Sequence, residues 1–200
     1  MKEAAMHEIG HIERLQVQLG RLKTGAKPDQ FYDPSALHAV PALRLTDKGV
    51  IGLVDGKELL DAHHADYAYS QNRGSSGISL NFSSHYERMR HRFGSHLETG
   101  CAGENILVAT DQLVPLAALA QGLVIETADS TRVRLTQIQV AHPCLSFSAY
   151  ALELQGEPAG QAALKETLGF LDGGTRGFYC EWTGEPVVVR PGDRVFLPAD

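Results

Sequence analysis

The sequence predicts a β-rich α+β protein, a barrel or sandwich with peripheral helices, and three observations carry that expectation. Twenty glycines and nine prolines in 200 residues cut the chain into many short segments. Several of those segments alternate apolar and polar residues or run as β-branched stretches. The strand-like segments also come in runs, without the regular strand–helix alternation of a parallel sheet.

Taken in chain order, Leu15, Val17 and Leu19 alternate with Gln16, Gln18 and Gly20, which predicts a half-buried strand. Residues 50–54 form a second short strand, closed by Asp55-Gly56. Residues 133–140 form a third, and the alternation slips at Gln137 as a β-bulge would make it. Val187-Val188-Val189 and Val195-Phe196-Leu197 flank a turn at Pro191-Gly192, where proline presets one dihedral and glycine supplies positive φ. Ser84 and Glu87 have capping-box spacing ahead of Tyr86, Met89 and Phe93 on one helix face, with Gly94 as the stop. A second helix carries Leu164, Leu168 and Leu171 and ends at Asp172-Gly173-Gly174. A third begins at Pro143, where the missing N–H costs nothing, and covers residues 145–152. Residues 1–9 read as an N-terminal leader and residues 10–200 as a single domain.

A chain of this length buries about 70% of its unfolded surface and needs no covalent staples. Eighteen Lys and Arg against 24 Asp and Glu leave a net charge of −6. That balance argues against a nucleic-acid partner and against a polybasic membrane patch. No run of eighteen apolar residues is present, and residues 1–7 lack the apolar stretch of a secretory signal. Three cysteines, an odd number, make no disulfide framework. A cytoplasmic protein with at least one free thiol is the expectation.

His7-Glu8-Ile9-Gly10-His11 matches H-E-x-x-H, which on a helix places two histidines on one face to share a zinc, with the glutamate as base. The context disagrees. Six residues precede the motif, Gly10 is a poor helix former, and the chain turns to strand periodicity almost at once. A zinc metallopeptidase is therefore the weakest reading, and no tightly bound zinc is expected. Between Asp61 and Ser84 runs a long polar stretch with adjacent His63 and His64, and long loops in compact domains are commonly functional.

Two segments carry more. Gly100-Cys101-Ala102-Gly103-Glu104-Asn105-Ile106 holds a Gly-Glu-Asn-Ile box, and Ala141-His142-Pro143-Cys144 sets a cysteine directly after a strand. Downstream stand Gly177-Phe178-Tyr179 and Pro191-Gly192-Asp193-Arg194-Val195. In order and spacing these motifs resemble the MOSC domain family, over residues 10–197. That family includes the amidoxime-reducing component and bacterial proteins that detoxify N-hydroxylated bases. The resemblance implies a β-barrel with peripheral helices and one essential cysteine, Cys144 by position. It also implies molybdenum cofactor (Mo-molybdopterin), with Cys144 as the protein's molybdenum ligand.

The residue chemistry agrees with that choice. Thiolate is a soft ligand suited to a thiophilic metal, and a cysteine in a helix's first turn has its thiolate favoured. Cys101 and Cys180 read as structural. Gly100 and Gly103 let backbone approach a ligand, consecutive N–H groups can cup an anion, and Asn105 can bond a pterin edge or phosphate. Glu104 either joins that site or holds the turn. Lys23-Thr24 resembles the Lys-Ser pair that the family uses after its first strand, and Arg176 the arginine before its late aromatic strand; both are phosphate candidates. Leu60 to Asp66 stands where the family carries a Gly-Asp-Arg-His-like segment. The arginine of that pattern is missing, with Arg73 the nearest substitute, and His63 and His64 are candidates to line the site or, with Asp61, to bind a metal.

The implied activity is two-electron reduction of an N-hydroxylated or N-oxygenated small-molecule substrate, with electrons from a separate redox partner. The alternative is a sulfur carrier or cofactor-handling protein in which Cys144 bears a persulfide delivered by a cysteine desulfurase.

Overall fold

The computed structural model describes residues 6–26, 30–70, 72, 76–154 and 160–199. Arg73, the substitute named above, lies outside them. The first half of the chain forms strands β1 (Met6–Gln18), β2 (Lys23–Thr24), β3 (Phe31–Tyr32), β4 (Leu37–Ala39), β5 (Ala42–Thr46), β6 (Gly49–Val54), β7 (Lys57–Leu60) and β8 (Ile78–Phe82). Helix α1 (Ser83–Phe93) leads to β9 (Ile106–Ala109), β10 (Leu123–Glu126) and β11 (Arg132–Val140). Helices α2 (Leu145–Ala151) and α3 (Gln161–Leu171) precede β12 (Phe178–Glu181), β13 (Val187–Val189) and β14 (Arg194–Pro198).

Among the described residues, seven strands close into a barrel in the order β14–β10–β11–β12–β8–β9–β1, with β1 returning to β14. The predicted β-rich α+β barrel is the observed architecture. Pairing is antiparallel except between β8 and β9, which run parallel because α1 and the loop after it carry the chain back to the starting end. Inward side chains such as Ile12, Leu15, Leu80, Phe82, Ile125 and Val195 are essentially removed from water. A second sheet, β13–β5–β6–β7, adds Leu43, Leu45, Val50 and Val189 to the same core. A separate apolar cluster of Tyr86, Met89, Leu97, Phe147 and Leu171 packs the three helices against the barrel.

Local signals in the sequence act as expected at three places. Asp55 and Gly56 both take positive φ, 49° and 74°, and join β6 to β7. Gln137 stands at φ 51° where the β11–β12 register slips, so the broken alternation is a bulge. Gly94, at φ 113°, ends α1.

Other expectations need correction. Strand β1 begins at Met6, so the second half of the supposed leader is barrel wall, with His7 opposite Leu197 and His11 opposite Arg194. The H-E-x-x-H motif lies on that strand and on a bulge between Glu8 and Gly10, so the helix it requires is not formed. Ser84 does not cap α1: its hydroxyl donates to the Gln112 carbonyl (2.7 Å), and Ser83 donates to Thr110 (2.9 Å), tying the helix start to the loop after β9. The Pro191-Gly192 turn is real, with Gly192 at φ 92°, but it joins two different sheets: β13 pairs with β5, while β14 pairs with β1 and β10.

Gly10 explains why this motif is strand. A Cβ there would stand 1.8 Å from the Ala109 carbonyl oxygen, so only glycine lets β1 and β9 meet. Gly10→Ala should lower stability by roughly 1–3 kcal/mol, read as a drop in the denaturant midpoint. An unchanged midpoint would show that the close approach is not needed.

Candidate functional site

A cavity of about 380 Å³ opens where one end of the barrel meets the helical cluster, within the size range of small-molecule sites. Leu80 and Phe178 come from the barrel side, Leu22 and Tyr32 from the other. Of the residues predicted for the site, Lys23, His63, Gly103, Glu104, Cys144 and Arg176 line it.

Cys144 directly precedes α2, and its carbonyl accepts from the Ser148 N–H. The helix has only seven residues and Cys144 sits at its cap, outside the first turn, so the expected help to a thiolate from a long helix dipole is not available. What sets this thiol apart is access. Cys144 is half-buried at the cavity wall, while Cys101 and Cys180 are 5% and 0% exposed. Burial pushes the Cys101 thiol up to about 12 and the Cys180 thiol higher still, so both stay protonated and inert.

Arg176 is held by two contacts. One terminal nitrogen donates to the Ala102 carbonyl at 2.8 Å, and the guanidinium lies 5.5 Å from the centre of the Phe147 ring. Its Nε is enclosed and without a hydrogen-bond partner. Burial works against its charge, but Tyr179, Tyr32, Cys144 and Glu104 around it outweigh burial and favour the charged form. Lys23 is exposed at the rim, with Arg21 beside it in the lining. Gly20, Arg21, Leu22 and Lys23 all line the cavity in sequence, and Thr24 is absent from the lining.

Four N–H groups in and just before the Gly-Glu-Asn-Ile box are already used, so they are not free to cup an anion. Cys101 N–H donates to Glu98, Ala102 N–H to the Tyr86 hydroxyl, Gly103 N–H to Gly100, and Asn105 N–H to Ser79. The space beside Gly103 is filled by Leu22, whose Cδ1 would lie 2.9 Å from an added Cβ. Asn105 is likewise a structural tie: Oδ1 accepts from the backbone and hydroxyl of Ser79, and Nδ2 donates to Gln16 and Asp61. Glu104 does hold the turn, with Oε2 accepting from the Tyr86 hydroxyl at 3.0 Å, while Oε1 is buried without a partner. Burial raises its carboxyl to about 7.

The two histidines part company. His63 lines the cavity, whereas His64 is 3% exposed, accepts the Asp66 N–H on Nδ1 and approaches Thr46 through Nε2. Burial holds His64 below the usual histidine range. Among the described residues, no group of three or more His, Cys, Asp or Glu is placed to hold a metal ion, so Asp61, His63 and His64 do not converge as the sequence allowed.

Tyr32, Tyr67 and Arg21 also line the cavity and were not singled out by the sequence, and Tyr179 and His142 line it too, though they were named only as parts of motifs and not as site residues. Arg21 lies two residues from the Lys23 that the sequence did mark, and that proximity is the signal that was available for it. No helix among the described residues is long and apolar enough to cross a membrane.

No protein-family model matches the chain, and no curated protein does. Among solved structures it is similar to the YuaD protein from Bacillus subtilis, with a TM-score of 0.62 at 12% identity over 99% of this chain and 100% of that one. A crystal structure of a hypothetical protein gives 0.52 at 13% identity over 96% and 70%. YiiM from Geobacillus stearothermophilus gives 0.48 at 17% identity over 98% and 76%. At such identities the first two similarities establish a shared fold and nothing finer.

Proposed function

We propose that the chain is a MOSC-type protein that holds molybdenum cofactor in this cavity and reduces N-hydroxylated or N-oxygenated small molecules, with electrons from a separate redox partner. One observation carries the reading: the single accessible thiol, Cys144, shares a cavity with Arg21, Lys23 and an Arg176 whose Nε has no partner. The order of the sequence motifs, which resembles that of the MOSC family, supports it.

The residues suit such a group. A soft thiolate matches a thiophilic metal, and cations in the same cavity match a phosphate. An enclosed guanidinium N–H without a partner is the kind of donor that an anionic ligand satisfies. In this role Cys144 would ligate the metal and Lys23 and Arg176 would hold the phosphate, while the Tyr32 hydroxyl, donating to the Cys101 carbonyl at 2.7 Å, ties down the loop that leads to Gly103. When bound, the cofactor supplies the two-electron redox chemistry.

The test is protein purified from a host competent for the cofactor, with pterin and molybdenum measured against protein. About one equivalent of each is expected in wild type. A charge-assisted hydrogen bond contributes about 1.5–3 kcal/mol, so Lys23→Gln and Arg176→Gln should each weaken pterin retention by roughly ten- to a hundredfold. Wild-type protein that carries no pterin, yet gains one sulfur on Cys144 from a cysteine desulfurase, overturns the reading in favour of a sulfur carrier. A double variant that keeps its pterin through dialysis moves the phosphate elsewhere.

A further inference from the structure

We infer that His63, oriented by the buried Asp61, is the proton donor to the substrate; the inference rests on the reductase reading of the cavity. Asp61 is 0% exposed, and its carboxylate is fixed from several sides. Oδ2 accepts from the Gln18 N–H at 2.7 Å and from Asn105 Nδ2 at 3.0 Å. Oδ1 accepts from the His63 N–H at 2.8 Å and faces the His63 ring Nδ1 at 3.2 Å. The end of β1, the residue before β9 and the polar loop thus meet on one carboxylate that cannot turn away.

With Nδ1 committed to Asp61, Nε2 is the ring nitrogen left for the cavity that His63 lines. A carboxylate on one imidazole nitrogen and a reaction space on the other is the geometry by which histidines hand over protons. His142 also lines the cavity and has a carboxylate partner, Asp172 Oδ1 at 2.9 Å, but the two side chains are 78% and 47% exposed, so water competes for that contact. His63 is 29% exposed against a fully enclosed partner.

The chemistry needs such a donor. Reducing R–NH–OH to R–NH2 and water consumes two electrons and two protons. As the N–O bond breaks, its electron pair and the two added electrons leave oxygen and nitrogen both in need of a proton. Hydroxide is a poor leaving group, so Nε2–H of the imidazolium protonates the oxygen, which departs as water. Nitrogen takes the second proton from solvent, and His63 is then reprotonated. The two electrons come from an external one-electron redox protein.

Charged and titratable groups of both signs share the cavity with His63. They are Arg21, Lys23, Arg176, His142 and Glu104 in the lining, with Asp61 against the ring. The tyrosines of the lining and the Cys144 thiol are the remaining titratable neighbours.

Two measurements test the pair separately from the cofactor reading. Nitrogen-15 NMR of cofactor-free protein should find neutral His63 as the Nδ1–H tautomer, and Asp61→Asn should weaken that preference. An Nε2–H tautomer in the wild type overturns the orientation with no reference to activity. In loaded enzyme, His63→Gln should lower kcat on a hydroxylamine substrate by on the order of a hundredfold, with KM and molybdenum content little changed. The fall of kcat at high pH should also disappear. Reduction at the wild-type rate with an unchanged pH profile in His63→Gln, while Cys144→Ser is inactive, defeats the proton-donor role but not the reductase. Loss of neither activity defeats both.

Discussion

Cys144→Ser should leave the barrel intact while molybdenum-dependent reduction falls to background. The side chain is half-buried at the edge of the helical cluster, and oxygen occupies nearly the same space as sulfur, so unfolding curves should overlie those of wild type within about 0.5 kcal/mol. The effect on chemistry is large because a serine hydroxyl is a harder ligand and far less readily ionised than a thiol. On the proposed reading Lys23 and Arg176 hold the pterin phosphate and pterin can outlast the loss of the metal bond, so metal and pterin should be measured separately. Cys101→Ala and Cys180→Ala are the controls; alanine avoids placing an unpaired hydroxyl in the core. Both should retain molybdenum and activity. A Cys144→Ser protein that matched these controls in metal and turnover would remove the basis for the proposed function.

The second large effect is on stability and lies at Glu104. An unfolded glutamate titrates near 4.5, and in the folded chain burial raises it to about 7. Between those values the folded state binds the extra proton, so stability from this group is fully present below about pH 4.5 and falls as pH rises, being lost through about pH 7. At about 1.36 kcal/mol for each intervening pH unit, ionising this carboxyl costs roughly 3 kcal/mol. Glu104→Gln keeps an acceptor for the Tyr86 hydroxyl and removes the ionisation. Other groups also titrate in this window, His64 and His85 among them, with burial holding both below the usual histidine range. Comparison of variant with wild type cancels them. From pH 5 to pH 8 the variant should gain stability over wild type by up to about 3 kcal/mol in denaturant titrations. Parallel pH curves would show that the carboxyl finds solvent or a partner when it ionises.

Legibility in the sequence followed local rules. The β11 bulge at Gln137, the Asp55-Gly56 turn and the Gly94 stop depend on dihedrals that a few residue types supply, and each was readable. The first part of β1 was not. Its register shifts twice, between Glu8 and Gly10 and between Ile12 and Arg14, and each shift breaks the period-two pattern that marks a strand. The site divides along the same line. That Cys144 differs from Cys101 and Cys180 was readable from their apolar or structural contexts. The task of Asn105 was not, because its partners Gln16, Ser79 and Asp61 are distant in sequence and the fold alone brings them together. His63 and His64 are adjacent in the chain, yet one faces the cavity and the other the protein interior, a difference set by Asp61 and Asp66.

The barrel's seam has a consequence for how the chain reaches this state. Met6 pairs with Pro198 and His11 with Arg194, so the contact that closes the ring joins strands at opposite extremes of the sequence. Until β14 has left the ribosome, β1 and β10 both present bare backbone edges, each able to pair with another nascent chain. Such distant pairing also slows the search for the native topology, since a long loop must close before any of its contacts reward the closure. Crowded synthesis, and any truncation that removes the last strand, should therefore favour aggregation over a soluble open barrel.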